Sequence, residues 1–196
     1  LIFSLILSIP LAMIKITKNK ILNFIGFLYT DIFRALPSLV QIYLVYFAAP
    51  QLFGITFTAM TSAFITLSMN AAAYISEALR GGILSVDIGQ REAAKALGIS
   101  QVDTLKDIVL PQALKAVFPS MINETIGLLK GTSLVSIIGV VDLMRASRQV
   151  MADSYLSFEP LMVAAVIYYI LVKSMSMIGN RLEKRIRVSE IRYIIK

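Results

Sequence analysis

The stretch Glu92–Pro111, EAAKALGISQVDTLKDIVLP, is polar and charged, and it interrupts a chain that is mostly apolar. Asp87 followed by Gln90 has the spacing of a capping box just ahead of it. Ala93, Ala94 and Leu97 then share one helical face, with Arg91 and Lys95 elsewhere on the helix. Gly98 suits a left-handed C-terminal cap. Ser100 with Asp103 reads as a second helix start. Val102, Leu105 and Val109 share a face that Asp103, Lys106 and Asp107 avoid, and Pro111 disfavours helical backbone at Leu110. The stretch therefore predicts two short helices around a glycine turn. Isolated helices below about 12–15 residues are marginal in water, so these need something to pack against. Alanines at the tip permit close approach by a partner. On pattern alone, a hairpin that merely links two membrane spans is an equal alternative.

The solvent of the rest of the chain follows from composition. Of 196 residues, 57% are hydrophobic and 16% charged, against roughly 45–50% and 25% in soluble domains. One core could not hide that much apolar surface, which points to a bilayer. There is no Cys and no His. Disulfides, Cys/His metal sites and Cys or His catalysis are excluded. No GxxxxGK[ST] is present, so nucleotide is not bound in the P-loop manner. The chain opens at Leu1 inside an apolar run without an initiator Met, and further N-terminal residues are expected before it. That run lacks the basic n-region and cleavage site of a signal peptide.

Five apolar segments stand out, at about 1–14, 24–49, 55–79, 116–141 and 160–179. None alternates strictly, which argues against a β-barrel. The expected fold is all-α and polytopic, about five transmembrane helices in one domain over residues 1–196, with the polar hairpin at about 86–111. Lys15, Lys18 and Lys20, then Arg91, Lys95 and Lys106, then Arg181, Lys184, Arg185 and Arg187 fall on one side. The other side carries only Arg145 and Arg148, between the fourth and fifth segments. The basic side is expected to be cytoplasmic, with the N-terminus outside and the C-terminus inside. This asymmetry also accounts for the net charge of +7 without nucleic acid.

Glu92-Ala93-Ala94, Gly98, Ile108 and Leu110-Pro111 together resemble the EAA loop of permease subunits of ATP-binding-cassette importers. The segments DIFRALPSLVQIYLVYFAAP from Asp31, NAAAYISEALRGGI from Asn70, LLKGTSLVSIIG from Leu128 and FEP from Phe158 resemble the polar amino-acid branch of that family. The likeness covers nearly the whole chain. Gly131 departs from it, where the family often has an acidic residue, and a local ion pair for Lys130 loses support. The resemblance implies that the loop, through Glu92, Ala93, Ala94, Leu97 and Gly98, docks on a cytoplasmic ATPase subunit. It further implies a second permease copy or homologue, an extracytoplasmic binding protein, a bacterial-type inner membrane, and ATP and Mg bound by the ATPase rather than by this chain.

Polar residues inside apolar spans usually face a cavity, a partner or a substrate. Asn70, Tyr74 and Glu77 share a face of the third segment. Glu124 lies at mid-depth of the fourth, with Thr132 and Ser133 further along. A zwitterion needs donors for its carboxylate and acceptors for its ammonium, and these two segments supply both. Asn70, Tyr74, Glu77, Glu124, Thr132 and Ser133 are the candidate substrate residues, against helix–helix hydrogen bonding as the plainer reading. Glu77 with Arg80 reads as a structural or gating pair. Glu124 suits either a cationic substrate or a neighbouring Lys or Arg. Glu159 reads as an acidic group at the start of the last helix. Asp31 and Arg34 read as an i,i+3 surface pair rather than substrate residues, and Pro37 as a kink. The expected function is an importer subunit for polar amino acids, with cationic ones among the candidates, and not itself an enzyme. Its rivals are a permease for another small solute and an ion-coupled carrier using Glu77 and Glu124, which the EAA-like loop disfavours.

Overall fold

The computed structural model describes the backbone of residues 1–194 and the side chains through 186. Arg187, placed above among the basic residues, has its side chain outside the described residues. Among the described residues there are helices and turns and no strand. The helices are α1 (Ile2–Ile16), α2 (Lys20–Ala35), α3 (Ser38–Tyr43), α4 (Ala49–Phe53), α5 (Ala59–Ser85), α6 (Ile88–Ala96), α7 (Gln101–Asp103), α8 (Leu110–Gly131), α9 (Leu143–Ser154) and α10 (Phe158–Ile194).

Helix α5 is the axis of the bundle. It packs against α1, α2, α3 and α8, and α10 lies against α8 and α9. Its face is built of small residues, with Ala71, Ala72 and Ala73 fully buried. Small residues are how helices approach closely where lipid is as apolar as the side chains. Ala12, Ala71, Ile75, Leu79 and Val117 form the α1–α5–α8 core. Gly82 marks the tightest crossing: a Cβ there would collide with Val117 and lie 2.9 Å from the Ala113 carbonyl.

By length and composition, among the described residues, Phe158–Ile186 alone qualifies to cross a membrane, and two bent helix pairs qualify only with both halves taken together. Ile2–Ile16 is a shorter apolar helix. The segment at 24–49, expected as one span, is broken: the halves Lys20–Ala35 and Ser38–Phe53 meet at 105°. Pro37 is the cause. It pushes Leu36 to ψ 135 and out of the helix. The freed carbonyls of Phe33 and Leu36 each accept a 2.8 Å bond from the Gln41 side-chain amide. Broken backbone survives at membrane depth only when its polar groups are satisfied in this way.

The polar hairpin differs from expectation in its second half. Its first half forms as the sequence indicates. Asp87 caps α6, though through Gly89 N at 2.6 Å rather than through Gln90. Gly98 takes φ +75 and closes a Schellman turn, with Gly98 N donating to the Lys95 carbonyl and Ile99 N to that of Ala94. Ser100 Oγ accepts from Asp103 N at 3.1 Å. Beyond it the helix does not stop at Pro111. A π-turn over Thr104–Val109 carries it into α8, with Leu110 N bonding to the Leu105 carbonyl. The wider turn makes room where the proline ring would strike the carbonyl four residues back. Val102 also leaves its expected face and is 72% exposed, while Val109 is buried.

The stretch between the fourth and fifth segments, for which the sequence signals no helix, contains helix α9. Asp142 caps it by accepting from Arg145 N at 2.9 Å. Glu159 takes the expected place in the first turn of α10.

Candidate functional site

Two regions carry the polar chemistry. The first runs along the α2-facing side of α5. Here Asn70 donates to the Phe33 carbonyl at 3.0 Å and to Gln41 Oε1 at 3.2 Å. Asn70, Gln41, Phe33 and Leu36 thus form one network that holds the broken helix against α5. Tyr29 adds to the same seam by donating to the Met69 carbonyl at 2.8 Å.

Toward the other end of α5, Glu77 is held by two cations. Arg80 donates to Oε2 through Nε and Nη2 at 3.1 and 2.9 Å, the pair expected from sequence. The second cation is Lys15, whose Nζ lies 2.7 Å from Oε1 and 2.8 Å from Ser76 Oγ. The sequence reading placed Lys15 in a cytoplasmic loop, but its side chain is fully buried. Its partner is 62 residues away, a distance no local pattern can signal.

Arg34 is the second residue the sequence reading misplaced. It makes no ion pair with Asp31. Its guanidinium stacks over the Tyr74 ring, 5.4 Å from the centroid. A π-face attracts a guanidinium as strongly as an exposed i,i+3 carboxylate does, so the local pairing rule loses here. Arg34 therefore joins α2 to Tyr74 on α5. Glu124 is half-buried and forms no salt bridge or hydrogen bond among the described residues. Beside Arg34 a cavity of about 380 Å³ is lined by Phe24, Phe27, Asp31 and Glu77 among others. Its size suits a small ligand, and it presents the Asp31 carboxylate and the Arg34 guanidinium, the Glu77 carboxylate being held by Lys15 and Arg80.

Thr132 and Ser133 do not join this group in hydrogen bonding. Their hydroxyls turn back to the carbonyls of Leu129 and Lys130, both at 2.7 Å, about 12 Å up the helix axis from Glu124 by its rise.

The second region is the hairpin. Leu97 is 78% exposed and Ile88 71%, and Ala93 and Glu92 are exposed with them. Ala94 departs from the expected docking face: it is 2% exposed and packs into its own chain. Arg91 ties α6 to α5 by donating from Nη2 to the Ile83 carbonyl at 2.6 Å. The result is an exposed tip with apolar side chains, tied to the central helix through Arg91.

Residues 4–188 match the binding-protein-dependent transport system inner membrane component. The chain belongs to this family. It is a multi-pass inner-membrane component of an ATP-binding-cassette transporter, and the family name itself specifies dependence on a binding protein. It is 45% identical over 188 residues to a putative glutamine transport system permease protein, GlnP, of Rickettsia bellii, covering 96% of this chain and 86% of the relative. It is 41% identical to the arginine transport system permease protein ArtQ of Bacillus subtilis over 96% of this chain and 86% of that protein. A crystal structure of an amino acid ABC transporter with histidines superposes with a TM-score of 0.88 at 33% identity, over 93% of this chain and 85% of that one. An inward-facing MetNI methionine ABC transporter shares the fold at 19% identity, with a TM-score of 0.80 over 94% of this chain and 88% of that one.

Proposed function

We propose that this chain is the permease of an ATP-driven importer that carries polar amino acids, cationic ones preferentially, into the cell. Glu124 carries the reading on substrate. A half-buried carboxylate without a hydrogen bond is costly in a membrane protein, and an ammonium or guanidinium arriving with the substrate would relieve that cost. Asp31 lines the cavity beside Arg34 with a further acceptor, and Arg34 supplies a donor for the substrate carboxylate. The relatives named for glutamine and arginine support polar amino acids as the class. Coupling is proposed to run through Leu97, Ala93, Glu92 and the Gly98 turn, which leave an apolar tip for a cytoplasmic ATPase. Ala94 and Arg91 hold that tip rigid, so a pull on it is passed to α5. ATP and Mg belong to the ATPase partner, and this chain does no bond-breaking chemistry. We further propose one transmembrane domain over 1–196 with the loop at 86–111, five crossings, the hairpin and C-terminus in the cytoplasm, and assembly with a second permease copy or homologue.

The test is uptake. The permease, co-purified with its ATPase and binding protein in proteoliposomes, should import arginine, lysine or glutamine and hydrolyse ATP faster in their presence. Failure of every polar amino acid, with uptake of some other small solute, would reassign the substrate class while leaving the permease role intact.

A further inference from the structure

The face of α6 opposite the exposed tip closes over a second cavity, of about 500 Å³. Its walls are Ile16, Lys18, Arg91, Lys95, Ile99, Gln101, Thr104, Leu105 and Val109. Three of these nine are cations and none is an acid. Lys18 comes from the link between α1 and α2, and Arg91 and Lys95 from successive turns of α6. None of the three is ion-paired with a described residue. Arg91 has one donor committed to the Ile83 carbonyl at 2.6 Å, while its Nε is buried with no partner. Three like charges around one cavity repel one another unless an anion is between them. The donors that remain, a guanidinium edge, two ammoniums and an amide, match the oxygens of a phosphate group.

The other walls are apolar. Ile16 and Leu105 pack on the cluster of Ile83, Val86, Val109 and Ala113 at the end of α5. Just beyond Lys18, α2 exposes Ile21 and Ile25, a surface that suits lipid. A site with cations at one end, greasy walls at the other and an apolar belt beside it fits a headgroup with its first acyl carbons better than a free ion. We propose that this cavity binds the phosphate of an anionic phospholipid, such as phosphatidylglycerol, and that the lipid braces the coupling hairpin against the α1–α2 link. By the turn of the helix, Ala93 and Leu97 are roughly opposite Arg91 and Lys95, so lipid and ATPase do not compete for one face. The inference rests on the cytoplasmic placement of the hairpin.

The chain has no Trp, so Ile99→Trp gives a single reporter on the cavity wall. The full-length permease carrying it is reconstituted into vesicles containing brominated phosphatidylglycerol or brominated phosphatidylcholine, and fluorescence quenching is measured. Phosphatidylglycerol should quench more strongly. Lys18→Gln with Lys95→Gln, which breaks no ion pair, should weaken that preference by about fivefold per lysine. Equal quenching by the two lipids, or a preference unchanged in the double variant, overturns the proposal. Loss of the preference on adding inorganic phosphate assigns the site to the free ion and overturns the lipid. No quenching by either lipid means the hairpin is away from the membrane surface, and the placement falls with the inference.

Discussion

Lys15 Nζ and Glu77 Oε1 lie 2.7 Å apart and fasten α1 to the central helix. Glu77 is shared with Arg80, so the two ends of this cluster are unequal. Lys15→Met leaves Glu77 still neutralised by Arg80. Glu77→Gln strands two cations, one of them fully buried. Leaving a buried charge unpaired costs about 3–5 kcal/mol. Thermal unfolding of the purified permease should therefore show Glu77→Gln to be far more damaging than Lys15→Met. The reverse order would mean that the Glu77 side chain is not the hub of the cluster.

Gly82 and Gly81 form a matched pair of probes. A methyl on Gly82 would strike Val117 and the Ala113 carbonyl, whereas nothing lies within 4 Å of one on Gly81. Overpacking of this kind costs about 1–3 kcal/mol. Gly82→Ala should lower the unfolding temperature, and Gly81→Ala should leave it unchanged or raise it slightly. Equal effects would show that α5 and α8 can separate freely at this crossing.

The hairpin separates docking from support. Leu97 is exposed and Ala94 is buried. Leu97→Asp should leave the permease folded and reduce the ATPase that co-purifies with it. Ala94→Trp should instead destabilise the permease before any partner is added, because the indole has no room within the chain. Normal ATPase recovery with Leu97→Asp would move the docking surface off this face of α6.

Orientation can be read with cysteines, since the chain has none of its own. Gln90 and Asp153 are both exposed. In intact cells a membrane-impermeant thiol reagent should label Asp153→Cys and spare Gln90→Cys. Labelling in the opposite sense would invert the whole topology.

These probes separate what is local in the sequence from what is not. The Gly98 turn and the Ser100 cap are legible because each is settled within about five residues. The Pro37 break is legible as a kink, but its size depends on Gln41 and Asn70 supplying donors from two other helices. Pro111 misleads because a π-turn upstream absorbs the ring. Arg34 misleads because the nearest carboxylate in sequence is not its strongest neighbour in space. Helix α9 goes unread because its polar surface resembles a loop once hydropathy alone is followed. Lys15 could be placed only by knowing that α1 lies on α5.

Asn70 and Glu124 were candidates for the same substrate, and the structure gives them different tests. Asn70 donates both its bonds to the broken helix. Asn70→Ala should lower stability and impair uptake of every substrate together. Glu124 has no such bonds to lose, so Glu124→Gln should leave the unfolding temperature close to the original. If it holds a cationic side chain, the variant loses a charge-assisted bond worth about 1.5–3 kcal/mol, or roughly 10–100-fold in affinity. The loss should fall on arginine and lysine and leave glutamine little changed. The competing account is an Arg34–Glu124 pair that serves only the fold. That account predicts the opposite pattern: reduced stability, with arginine and glutamine uptake falling by the same factor. Measuring unfolding and the two uptake rates on one preparation decides between them, because no single outcome satisfies both.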